Sequence, residues 1–140
     1  MTLSIRNQLP GTVTEVHPGE VMATVKVRLD GGPHLTAAIT LEAAEQLALA
    51  PGTPVRALVK ATEVSLATQR VEGLSIRNQL PGTIAQLTTG EAMASVKVSL
   101  ALGEITAVIT KDAVGDLGLF VGSDVIALIK ATEVSLVTAQ

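Results

Sequence analysis

From Val21 to Asp30 the side chains alternate. Val21, Ala23, Val25, Val27 and Leu29 are separated by Met22, Thr24, Lys26, Arg28 and Asp30. A period of two predicts a strand with one buried face. Ala92, Ala94, Val96, Val98 and Leu100 repeat the pattern. Leu3 to Val16 reads as extended chain bent at Pro10-Gly11. Leu35 to Ile39 reads as a third strand. The character then changes at Thr40-Leu41-Glu42-Ala43-Ala44-Glu45-Gln46-Leu47. Thr40 is a good N-cap, Glu42 suits a first turn, and alanines abound, so a helix of roughly two turns is expected before Pro51-Gly52. Val55 to Lys60 and Thr62 to Ala67 read as two more strands.

The whole pattern occurs twice. Leu3-Ser4-Ile5-Arg6-Asn7-Gln8-Leu9-Pro10-Gly11-Thr12 returns unchanged from Leu74 to Thr83, and Lys60-Ala61-Thr62-Glu63-Val64-Ser65-Leu66 returns from Lys130 to Leu136. One residue is lost between the copies where Asp30-Gly31-Gly32-Pro33-His34 faces Ala101-Leu102-Gly103-Glu104. Gly and Pro mark a hairpin loop there, where a length change costs little. Three strands, a short helix and two strands predict an all-β chain with short helices, built as two tandem OB-type five-stranded barrels. The expected division is 1–68 for the first module, 69–73 for a short polar link, and 74–140 for the second. Each module is near the lower size limit for independent folding, so docking between modules or chains is expected.

Composition narrows the chemistry. The chain has 140 residues, no Cys, no Trp, no Tyr and a single Phe, with a formal net charge of -3. Disulfides and thiolate chemistry are excluded. The acidic balance is poor for a polyanion partner, so no nucleic acid is expected. Phe120 is the only stacking platform, so no pterin affinity is expected. No basic segment followed by an apolar run begins the sequence, and no apolar stretch approaches the ~20 residues that span a bilayer. A cytoplasmic protein with no membrane partner is the expectation.

Catalysis is disfavoured. His17 and His34 are the only histidines, and neither recurs in the other copy. No His/Asp/Glu cluster has metal-ligand spacing. The glycines form no phosphate-binding fingerprint, and Gly11, Gly19 and Gly52, with Gly82, Gly90 and Gly122, read as turn glycines. No enzyme is expected. What remains is the pair of duplicated blocks, rich in donors. Ser4 and Arg6 share one side of an extended segment. Lys60 ends one strand and Thr62 starts the next, so ammonium, hydroxyl and backbone N–H groups converge at a corner suited to an anion. Strand pairing retained after a duplication accounts for the same identity.

Ser4-Ile5-Arg6-Asn7 with Leu9-x-Gly11, Gly19-x-Val21, Ile39-Thr40 and Lys60-Ala61-Thr62-x-Val64 resembles the Mop family of molybdate-binding modules. Ser75-Ile76-Arg77-Asn78 to Lys130-Ala131-Thr132-x-Val134 matches again, so the tandem chain is similar to the di-Mop group. The resemblance implies molybdate or tungstate as the bound ligand, no organic cofactor, storage or homeostasis of molybdenum, and six modules per particle, hence a homotrimer. Carried over, the ligands are Ser4, Ile5, Arg6 and Asn7 from one module with Lys60, Ala61 and Thr62 from another, many through backbone N–H. The second set is Ser75, Ile76, Arg77 and Asn78 with Lys130, Ala131 and Thr132. Three departures stand out. Thr62 and Thr132 replace a usual Ser and keep its hydroxyl. Met22 and Met93 stand where Asn is usual. Ala43 and Ala113 stand where Ser is frequent, so a site that depends on that hydroxyl is expected to be weak or absent. The other function the resemblance allows is a molybdate-responsive module acting on a transporter or transcription factor. Apolar Leu58 and Leu128 on a nominally outer face are a further expectation of oligomeric cover.

Overall fold

The computed structural model describes residues 3–138. The first repeat contains β1 (Asn7–Pro18), β2 (Met22–Leu29), β3 (His34–Thr40), α1 (Leu41–Gln46), β4 (Pro54–Val59) and β5 (Val64–Ala67). The second contains β6 (Asn78–Thr89), β7 (Met93–Leu100), β8 (Gly103–Thr110), α2 (Lys111–Leu117), β9 (Asp124–Ile129) and β10 (Ser135–Thr138). The alternation in β2 is complete: Ala23, Val25, Val27 and Leu29 are buried, and Met22, Thr24, Lys26 and Arg28 are exposed. Val21 departs from its expected place. It precedes the strand, lies 74% exposed, and uses its carbonyl to accept the Leu41 N–H. Thr40 caps α1 as expected, its hydroxyl accepting from the Ala43 N–H at 3.1 Å.

Pro10-Gly11 is not a turn. β1 continues through it as one strand, which passes there from pairing with β4 to pairing with β2, and its register shifts later, between Val13 and Glu15. Gly11 is there because β2 passes close by. A Cβ on it would lie 2.7 Å from the Arg28 carbonyl oxygen. Gly82 is equally crowded, so these two glycines mark a close strand crossing and not turns. Gly52 and Gly122 are turn glycines, with φ of 98° and 97°.

The two sheets are not two self-contained repeats. Their strand orders are β10-β4-β1-β2-β3 and β5-β9-β6-β7-β8. Each repeat gives its last strand to the other. Val64 to Ala67 pair with Ile129 to Ile126, and Ser135 to Thr138 pair with Leu58 to Val55. A three-residue 3-10 turn, Ala61–Glu63 or Ala131–Glu133, carries the chain across each time. The buried side chains of both sheets consequently form one continuous core. Leu58 and Leu128 are buried within a single chain, at 7% and 8% exposure. Their cover therefore needs no second copy, contrary to the inference drawn from sequence.

Candidate functional site

Strand register brings the duplicated blocks together. Asn7 is paired with Val59, so Arg6 and Lys60 leave the same end of the β1–β4 ladder. Asn78 is paired with Ile129, which places Arg77 and Lys130 likewise on β6–β9. Each block pair then meets the third strand of the other repeat. The turn Ala61–Glu63 packs on β8, and Ala131–Glu133 packs on β3. Two junctions related by approximate two-fold symmetry result.

The asparagines fix these junctions. Asn7 is 3% exposed, and Asn78 is 5% exposed. The Asn7 Nδ2 donates to the Thr106 carbonyl at 2.8 Å, and its Oδ1 accepts the Thr106 N–H at 2.8 Å. Asn78 does the same with Thr36, at 2.8 and 2.9 Å. An amide side chain thus takes the place of a neighbouring peptide group, joining one repeat to the backbone of the other. Each joint uses one of the two Nδ2 hydrogens of its asparagine.

The remaining donors face outward. Ser4, Arg6, Lys60 and Thr62 are exposed at one junction, and Ser75, Arg77, Lys130 and Thr132 at the other. Ile5, Ile76, Ala61 and Ala131 are half-buried beneath them. Lys60 and Lys130 precede their turns without capping them, leaving the ammonium groups uncommitted there. Each turn is closed by the Glu63 or Glu133 N–H bonding the lysine carbonyl, at 2.9 and 3.0 Å. Among the described residues, the salt bridges are confined to Glu15, with His17 and Lys26. Each repeat therefore leaves an ammonium, a guanidinium and two hydroxyl groups exposed near the end of its ladder, and a cleft in the second repeat brings Ser75 and Arg77 together without Lys130 or Thr132.

The second junction has a feature the sequence reading missed. The linker is held down by Gln79, whose Oε1 accepts the Val71 N–H at 3.0 Å and whose Nε2 donates to the Val71 carbonyl at 2.8 Å. This positions Arg70 and Glu72 at the wall of a cleft of about 530 Å³ that also exposes Ser75 and Arg77. Its counterpart Gln8 bonds only within its own segment, to the Ile5 carbonyl at 3.1 Å, so the duplication carried no signal of this role.

Met22 is paired with Thr40, and Met93 with Thr110, all four at the helix end of their sheets. The hydroxyls of Thr40 and Thr110 are already accepting the Ala43 and Ala113 N–H groups.

The TOBE domain model matches residues 3–66 and again 74–136. The chain belongs to the TOBE domain family. Among its relatives, the molybdenum-pterin-binding protein MopA of Rhodobacter capsulatus is 43% identical over 97% of this chain, and the molybdenum transport protein ModE of Azotobacter vinelandii is 39% identical over 97%. The chain spans about half the length of these curated relatives, 52% and 51%. A crystal structure of the cytoplasmic molybdate-binding protein ModG, with molybdate bound, is 44% identical. It superposes with a TM-score of 0.96 over 99% of this chain and 100% of that one. The two chains thus share one fold over essentially their whole length.

Proposed function

We propose that this protein binds molybdate, or tungstate, at its two junctions, and serves cytoplasmic molybdenum storage and homeostasis. The observation that carries the reading is the outward display of the same four donor side chains at each junction, on a fold shared with a molybdate-binding protein. Molybdate at neutral pH is a fully deprotonated tetrahedral dianion that only accepts hydrogen bonds. Ammonium, guanidinium, hydroxyl and backbone N–H groups suit it, and charge-assisted bonds of this kind are the stronger class. Phosphate retains a proton and needs an acceptor. Sulfate is smaller, so the spacing of rigid backbone must discriminate against it.

The exposure of the donors within one chain favours completion of each site by another copy. Ser4, Arg6, Lys60 and Thr62 form one half-site, with the Ile5 and Ala61 backbone, and the corresponding second-repeat residues form the other. Three chains would supply six modules. The role of the chain is binding and not catalysis, in keeping with its relatives. Calorimetry with molybdate, tungstate, sulfate and phosphate tests this. Binding of molybdate or tungstate in clear preference to the other two supports it, and equal heats for all four refute it.

A regulatory role is the second reading. It is favoured by the match to about half of ModE, including the transcriptional regulator ModE of Yersinia pestis, 38% identical over 96% of this chain. Molybdate-dependent recovery of a transporter or regulator in a pull-down would support it. Pterin binding finds little support in the chain itself, because Phe120 is the single aromatic residue.

A further inference from the structure

Directly paired residues on an antiparallel sheet share a face. One outward row of the first sheet runs Pro54–Thr12–Arg28–His34. The row in the same register on the second sheet runs Asp124–Thr83–Ser99–Glu104. In the next row, Arg56 pairs with Pro10, where the second repeat has Ile126 against Pro81. Arg28, His34, Arg56, Glu104 and Asp124 are all exposed. Equivalent faces of two otherwise similar repeats therefore carry opposite charge: two guanidiniums on one, two carboxylates on the other. Asp30, in the turn after β2, is the acid nearest in sequence to the basic row.

Among the described residues none of these charges forms a salt bridge, the two that occur joining Glu15 to His17 and Lys26. Asp124 does accept a hydrogen bond from the Thr83 hydroxyl at 3.3 Å. A shallow cleft of about 350 Å³ opens beside Asp124, with Pro81 and Ile126 contributing apolar surface and Glu104 outside its lining. Such a floor accommodates the methylene stem of an arginine while its head reaches a carboxylate.

We infer that the basic face of the first repeat docks on the acidic face of the second repeat in another copy of this chain. Arg28 and Arg56 meet Glu104 and Asp124. Basic on basic, or acidic on acidic, is opposed by like-charge repulsion, so the contact is head-to-tail. A head-to-tail contact closes into a ring when its rotation allows. This inference rests on the trimer reading above only in needing a second copy, and it is independent of the bound anion.

Sedimentation of charge-reversed chains tests it, with circular dichroism reporting that each exposed-site variant is folded. R28E/R56E and E104K/D124K should each weaken self-association by ~100-fold or more, because both faces then carry one sign. The four-fold exchange R28E/R56E/E104K/D124K should restore it. Added salt should dissociate the parent assembly. If the double variants assemble like the parent, the trimer reading stands and this surface is wrong. If the four-fold exchange is folded but fails to assemble, charge complementarity is not the determinant and the inference is overturned. A parent that is monomeric at micromolar concentration overturns both readings together.

Discussion

Replacing Asn7 by Ala should loosen the joint between the repeats without touching any exposed donor. The substitution removes two hydrogen bonds of 2.8 Å to the Thr106 backbone. A protein hydrogen bond contributes ~1 kcal/mol net, and a buried group left without a partner costs a further ~1–3 kcal/mol. Thr106 is half-buried, so water can reach part of what is exposed, and the lower end of that penalty applies. The expected loss is ~2–4 kcal/mol, a large share of the ~5–15 kcal/mol that holds a typical domain together. Urea unfolding followed by circular dichroism measures it as a lowered midpoint with an unchanged slope. Asn78→Ala should cost about as much, because Asn78 grips Thr36 in the same way. Asn7→Asp should not rescue, since a carboxylate cannot donate to the Thr106 carbonyl and would be buried with its charge. Gln8→Ala is the control. Gln8 makes one bond of 3.1 Å, to Ile5 on its own segment. A loss for Asn7→Ala below ~0.5 kcal/mol, or no larger than for Gln8→Ala, would refute the assignment of the asparagines to the joint.

The other expectations follow from the same geometry. Lys60→Ala with Lys130→Ala should weaken molybdate binding by roughly 10–100-fold per site, the equivalent of one charge-assisted hydrogen bond, while leaving the fold intact. Calorimetry checks this against His17→Ala with His34→Ala, which should bind like the parent; the reverse outcome removes the lysines from the site. Gly11→Ala should destabilise by ~1–3 kcal/mol through overpacking, since its Cβ would meet the Arg28 carbonyl and Val27 at 2.7 and 2.8 Å, whereas Gly115→Ala meets nothing within 4 Å and should be neutral or stabilising in thermal unfolding. Truncation before Ser135 should speed amide exchange in β4 of the first repeat more than in β9 of the second, because β10 pairs with β4; faster exchange in β9 would contradict the strand exchange. The Glu15 carboxyl should titrate below its ordinary value, held there first by the His17 hydrogen bond and then by the Lys26 charge. A depressed folded value means this small contribution is present above the unfolded pKa and lost as pH falls through the folded one. His17→Ala should move the Glu15 NMR midpoint upward, and an unchanged midpoint would rule out the contact as its cause.

Much of the fold was legible in the chain. The period-two runs gave β2 and β7, Thr40 announced the first helix cap, and the duplicated blocks announced the tandem repeat. Local rules sufficed because each of these features depends on residues a few positions apart. Pro10-Gly11 misled for the opposite reason. Its glycine answers to β2, far along the chain, and a turn and a close crossing use the same residue type. The donor blocks were visible as candidates, but the division of labour within them was not. Ser4, Arg6 and Asn7 look alike as hydrogen-bonding residues, and only burial separates the asparagine bonded across to the other repeat from the exposed Ser4 and Arg6.

The sequence by itself determined the strand pattern, the repeat and the set of donors, because side-chain periodicity and duplication are written along one dimension. It could not decide which sheet each final strand joins. Val64-Ser65-Leu66 and Val134-Ser135-Leu136 are identical, and the strands they face, ending Ala57-Leu58-Val59 and Ala127-Leu128-Ile129, are nearly so. Self-pairing and exchange therefore satisfy the same side-chain pattern and the same backbone hydrogen bonds. Tertiary structure chose exchange, with Asn7 and Asn78 bonded across to the other repeat and one core shared between the two sheets. That choice places each donor block against the partner repeat's third strand, a relation between distant residues that no local pattern encodes.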